Sequence, residues 1–141
     1  MLNTKGNMMA IYGVGAYYDR DVSNKFITEN IIGVGWDSNS APELQEYFKS
    51  LKVGDIIYIK SAFGRRDITV KGIGIIKDTI IRTSLDTNSL VSTGRNVVWL
   101  SKRKFVIQRP QEKNNVRSNT VYEEFHPLVQ RAIISEISKT N

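Results

Sequence analysis

Trp36 and Asp37 stand side by side where an apolar run gives way to turn-forming residues, and together they could hold a nucleobase. An indole face stacks on any base, and a carboxylate accepts from an exocyclic amine. The alternative is structural, with Trp36 in the core and Asp37 bonded into the turn. Tyr17 and Tyr18 form a second aromatic pair. Successive side chains on a strand point to opposite faces, so one tyrosine packs inward and the other faces out. Arg65-Arg66 and Lys102-Arg103-Lys104 suit phosphate contacts, which position a nucleic acid without reading it. Solvated loops would carry the same residues. Trp99, inside Val97-Val98-Trp99-Leu100, reads as core. The single histidine, His126, precedes Pro127 and reads as the start of a helix, not a catalyst. With no cysteine, disulfides and thiolate zinc sites are excluded, and neither metal nor cofactor is expected.

Charge narrows the class of partner. The net charge is +6, but residues 61–120 alone hold twelve Lys and Arg against four Asp and Glu. The segments on either side each sum to −1. A basic third within one domain predicts a basic face and a polyanionic partner. No apolar run approaches the ~20 residues that span a bilayer, and residues 1–9 lack the apolar stretch of a signal peptide. A cytoplasmic protein without a membrane partner is expected.

The elements that must position these groups can be placed by pattern. Residues 1–9 are polar and unpatterned, a flexible arm ahead of a single domain over 10–141. Strands are expected at 10–18 and 31–36. Between them, residues 25–30 suit a helical turn or a short strand. Ser40-Ala41-Pro42-Glu43 has the form of a capping box, and Leu44, Tyr47, Phe48 and Leu51 follow at helical spacing. Gly54-Asp55 then announces a buried strand over 56–59. A further strand over 70–76 carries Gly72 and Gly74, where another strand or a ligand must come close. Residues 96–100 and 104–107 make a strand pair or one bent strand. Residues 120–125 suit a short strand or turn, and a terminal helix follows with Val129, Ala132, Ile133 and Ile137 on one face. Short strands with helices packed outside predict an α+β domain built on a small barrel.

The succession Gly33-Val34-Gly35-Trp36, helix, Val53-Gly54-Asp55-Ile56-Ile57-Tyr58-Ile59-Lys60-Ser61, Val70-Lys71-Gly72-Ile73-Gly74-Ile75-Ile76-Lys77-Asp78, Val97-Val98-Trp99-Leu100 resembles the PUA-like superfamily, most of all its EVE and YTH branches. The resemblance covers about residues 10–107. It implies a β-pseudobarrel that reads one nucleobase, often modified, in an aromatic pocket. Trp36 matches the tryptophan that walls the pocket in YTH-type readers. Tyr17 and Tyr18 fall where the first strand's exit meets the base, with Asp37 beside Trp36, and Ser61 matches the small polar residue ending the Gly-Asp strand. Residues 84–95 hold no aromatic where YTH-type readers place a second cage residue, so Tyr17, Tyr18 or Phe26 would have to serve.

The expected function is therefore a non-catalytic module that binds DNA or RNA and reads a possibly modified base. Such domains stand before nucleases or NTPases in restriction-type defence systems, which implies an effector nuclease or NTPase as partner. One alternative is a small amidohydrolase, implied by the likeness to the superfamily's ASCH branch, with Lys60, Ser61 and Glu123 or Glu124 as its machinery. The other is a protein-interaction module, should the basic residues prove dispersed.

Overall fold

The computed structural model describes residues 10–17, 20–35, 41–61, 66–111, 117 and 119–139. The expected arm over 1–9 lies outside them. In chain order the elements are β1 (Ile11–Gly15), α1 (Ser23–Glu29), β2 (Ile31–Val34), α2 (Pro42–Ser50), β3 (Ile56–Ser61), β4 (Ile68–Thr83), β5 (Thr93–Ser101), β6 (Phe105–Ile107), β7 (Val121–Glu123) and α3 (Pro127–Lys139). The class is α+β. The strands form one seven-stranded sheet in the order β2-β5-β4-β3-β1-β7, with β6 also on β4. β1 and β3 run parallel, Ile11 opposite Ile56 and Gly15 opposite Lys60. The other pairs are antiparallel. β6 meets Ile68–Val70 on the edge of β4 that β3 leaves free, continuing the line of β5. The stretch thus forms two separate strands that both pair with β4 and not with each other, which is neither the expected pair nor one bent strand.

The sheet buries both faces. On one, Val14, Ile57, Ile59, Ile76 and Val97 pack with Phe26 of α1 and Phe48 of α2. On the other, Ile11, Ile56, Tyr58 and Ile73 pack with Val129 and Ile133 of α3. Burial on both sides explains why β3 reads as an unbroken apolar run. α2 places Phe48 and Leu51 fully in the core, with Leu44 and Tyr47 half-buried against it. Its start differs from the expected capping box. Ala41 occupies the N-cap with no side-chain hydrogen bond, and Ser40 lies outside the described residues. Pro42, which has no N–H to satisfy, opens the helix.

Two glycine positions decide how closely the strands approach. Gly33 and Gly94 face each other across β2 and β5. A Cβ on Gly33 would sit 2.5 Å from the Thr93 carbonyl oxygen, and one on Gly94 2.5 Å from that of Ile32. A Cβ on Gly74 would run into the Val97 side chain and the Val98 carbonyl oxygen, so the close neighbour at that point is β5, whereas Gly72 meets Ile27 and Trp99 at ordinary contact distance. The Gly-Asp turn is confirmed, with Gly54 at φ +90°. Its N–H donates to the Ile76 carbonyl, and Ile76 N–H donates back to the Asp55 carbonyl.

Gly33→Ala should lower stability by about 1–3 kcal/mol, because backbone stands in the way of the new carbon. At Gly15 a Cβ would lie 3.7 Å from its nearest neighbour, the Thr120 carbonyl oxygen. Gly15→Ala should therefore stay within about 0.5 kcal/mol of wild type. Urea unfolding midpoints of the two variants test the contrast.

Candidate nucleic-acid interface

The parallel register brings the C-terminal ends of β1 and β3 to the same point of the sheet. Tyr17 follows β1 there, 61 % exposed, with its backbone bridged to Asp21. Ser61 ends β3, half-buried and paired with Thr69. Beside them lies Lys60, whose importance the sequence conveyed only through the hydrolase alternative. Its Nζ donates to the Arg117 carbonyl and stands 5.6 Å from the centre of the Tyr122 ring. Burial, and then the nearby Arg117 charge, lower the Lys60 pKa to about 8.

Under Lys60 runs a buried polar chain. Tyr58 Oη donates to Glu124 Oε1 at 2.6 Å. Since that uses the only Tyr58 proton, Tyr122 Oη donates to Tyr58 across their 2.7 Å separation. Arg117 grips Glu124 with Nε at 3.1 Å and Nη2 at 2.6 Å, and His126 N–H adds a further donor at 3.1 Å. Burial raises the pKa of both tyrosines, reinforced at Tyr58 by its neighbours Tyr122 and Glu124. Burial alone would lower the Arg117 pKa, but Glu124 outweighs it and the net shift is upward. Gly13 leaves the space that the Tyr122 ring fills. The result is a rigid floor at the end of β1 and β3.

On the other side of Tyr17, Lys71 bonds Asp21 at 2.5 Å, and Asp21 also accepts from Ser23 N–H at 2.8 Å. Burial opposes ionisation of Asp21. The bonds from Lys71 and Ser23 overcome it and hold the pKa at about 2. The pair fixes the start of α1 beside the strand end.

Several expected site residues, Tyr18, Trp36, Asp37 and Arg65, lie outside the described residues. Val34, the last residue of β2, pairs with Thr93, which itself pairs with Thr83 at the far end of β4 from Thr69 and Ser61. The register thus sets the β2 end and the β1–β3 end apart along β4. Phe26 is fully buried in the core and cannot serve as a cage residue.

Among the described residues, five cations of the basic third, Lys71, Arg82, Arg95, Arg103 and Arg117, are committed to internal bonds. Arg66, Lys102 and Lys104 are exposed. Arg103, expected to contact phosphate, instead clamps Glu136 of α3 with Nε at 2.6 Å and Nη2 at 2.5 Å. Arg82 bonds Asp86 and Asn96, and Lys71 and Arg117 hold the carboxylates described above. Arg95 is buried and donates to the carbonyls of Phe48, Lys49, Leu51 and Asp78. The long-range partners of these cations could not be read from local charge spacing.

Trp99 is half-buried, and its Nε1 has no acceptor among the described residues. A buried unpaired donor of this kind costs about 1–3 kcal/mol. The indole lines an open cleft of about 450 Å³ together with Glu29, Asn30, Lys77, Asn96 and Lys102.

The hydrolase arrangement does not assemble. Lys60 and Ser61 are consecutive on β3 and point to opposite faces. Tyr122 and Glu123 alternate likewise on β7, and Glu123 lies on the face away from Lys60. Glu124 is held by Arg117 and Tyr58. His126 does open α3, its Nδ1 accepting from Leu128 N–H at 3.2 Å. Among the described residues, no group of three His, Asp or Glu side chains could hold a metal, and no helix is long and apolar enough to cross a membrane. No protein-family model, curated protein or solved structure matches the chain.

Lys60 binds its proton more weakly in the folded chain than in the unfolded one. From about pH 8 up to the ordinary lysine range the unfolded state therefore holds the extra proton, and this group's contribution to stability rises with pH. The unfolding free energy of wild type relative to Lys60→Met should shift in favour of wild type between pH 7 and pH 10. NMR of the reductively methylated protein should show one lysine titrating near pH 8. Arg117→Met leaves Glu124 charged and buried, and calorimetry should record a loss of about 3–5 kcal/mol.

Proposed function

We propose that the protein is a PUA-like, EVE/YTH-type reader, a non-catalytic module that binds nucleic acid and holds one nucleobase at the shared end of β1 and β3. The observation that carries this reading is Tyr17, an exposed aromatic just past the point where β1 and β3 end together at Gly15 and Lys60. An extruded base loses stacking and pairing energy that its site must return. Tyr17 supplies a stacking surface and Ser61 a hydrogen-bond partner at that end, while Trp36 and Asp37, expected to share the pocket, lie outside the described residues. Perturbed ionisation clusters at functional sites, and Lys60 and Asp21 both flank this one.

Strand order supports the pseudobarrel. β1 and β2 lie far apart along the sheet, yet Val14 and Val34 belong to one core cluster, as a sheet coiled around a single interior requires. Arg66, Lys102 and Lys104 remain exposed for phosphate, with Arg65 their expected companion. Recognition of a modified base within a defence system, with an effector nuclease or NTPase as partner, is the setting this reading implies.

A hydrolase reading draws on the lowered Lys60 pKa, which a lysine base needs. The opposed directions of Lys60 and Ser61 and the engagement of Glu124 count against it.

Competition between modified and unmodified oligonucleotides tests the reading. Tyr17→Ala and Trp36→Ala should each lose discrimination by about 1–3 kcal/mol, the worth of one stacked base. Binding driven by phosphates should persist in both. Unchanged discrimination in both variants would remove the pocket from this position. Amide hydrolysis abolished by Lys60→Met would instead establish the enzyme.

A further inference from the structure

We propose that the cleft between the end of α1 and strands β4 and β5 is a second nucleotide subsite, in which Lys77 and Lys102 take a phosphate and Trp99 lies against the base. The proposal rests on the reading above in one respect, that the nucleotide belongs to a bound strand. A free mononucleotide carries the same chemistry.

The cleft's volume of about 450 Å³ falls in the ~300–1,000 Å³ range of small-ligand sites. Several other cations of the same third of the chain are committed elsewhere. Lys71, Arg82, Arg103 and Arg117 each hold a carboxylate. Lys77 and Lys102 are exposed on the cleft wall and meet no carboxylate among the described residues. Two uncommitted ammonium groups on one concave surface favour a phosphate.

The other lining groups favour a base. Trp99 offers an indole packed over Gly72 and Gly74 and lining the cleft. Glu29, exposed in the last turn of α1, can accept from an exocyclic amine. Asn96 is held in place by Asp78 and Arg82, which keeps this wall rigid. Tyr17 lies before α1 and Asn30 caps its end, so a helix of seven residues, about 10 Å long, intervenes along the chain. The cleft is therefore built from different elements than the pocket at β1 and β3.

In a Trp36→Phe background the remaining tryptophan emission reports on Trp99. Titrations with a short single-stranded oligonucleotide and with adenosine monophosphate should be run on this protein and on its Lys77→Ala/Lys102→Ala derivative. The expected result is saturable quenching by the oligonucleotide. The double variant should bind it about tenfold more weakly, with a salt slope shallower by about 0.7 for each phosphate that is no longer neutralised. Discrimination due to Tyr17 should survive the double variant. Quenching by the mononucleotide without oligonucleotide binding would keep the subsite and overturn the strand reading. No quenching by either ligand, or quenching unaffected by the two lysine changes, would overturn the subsite.

Discussion

The placement of α2 depends on one buried cation. Arg95 leaves the middle of β5 and reaches the end of the helix, where it donates to the Phe48, Lys49 and Leu51 carbonyls and, on the other side, to the Asp78 carbonyl. Those helix carbonyls have no partner within their own helix and carry the negative end of its dipole. Desolvation is costly for a guanidinium and lowers its pKa here, while the charges of Asp78 and Asp55 act in the other direction. One side chain thus closes a helix and ties it to the β4–β5 hairpin. Gln45, buried near the start of α2, adds bonds to Ser92 and Thr93 on the same hairpin. With α2 pinned at both ends, Phe48 and Leu51 have a fixed position over the sheet.

At the opposite face, Arg117 and Glu124 do comparable work for the candidate base site. Their pairing is fully buried, and Tyr58 and Tyr122 extend it beneath Lys60. A satisfied polar network of this kind tolerates few alternative arrangements. It gives the ends of β1 and β3 a floor whose side chains are bonded to one another. α3 is secured in parallel by Arg103 on Glu136.

How much was legible in the sequence followed the range of the interactions. The α2 stripe of Leu44, Phe48 and Leu51, the Gly54-Asp55 turn and the apolar β3 are set by neighbours in the chain, and each appears where the pattern placed it. The glycines of β4 announced a close approach, but not that Val97 and Val98 of β5 would make it, at Gly74. The start of α2 misled because Ser40 and Glu43 have capping spacing, while Ala41 before Pro42 takes the N-cap. The charge excess of residues 61–120 did not tell which of its cations are committed within the fold. Arg95 and Arg103 find partners more than thirty residues away, and Arg117 is withdrawn into the core. Lys60 carried no local sign of burial, because it stands next to the end of a strand that would be expected to reach solvent.

The parallel pairing of β1 with β3 also governs the order in which the molecule can be assembled. Ala10 and Asp55 are 45 positions apart where the two strands first meet, and β7 lies further on still. A chain leaving the ribosome therefore carries β1, with Ile11, Tyr12 and Val14, for a long interval with neither edge covered. β2 fares no better, since its partner β5 is also made late. Closing such distant segments is slow, and apolar strands exposed meanwhile are prone to associate with other chains. Soluble yield during synthesis is thus a property of the topology, and α1 and α2, which form from local contacts, are the elements available to shelter the early strands.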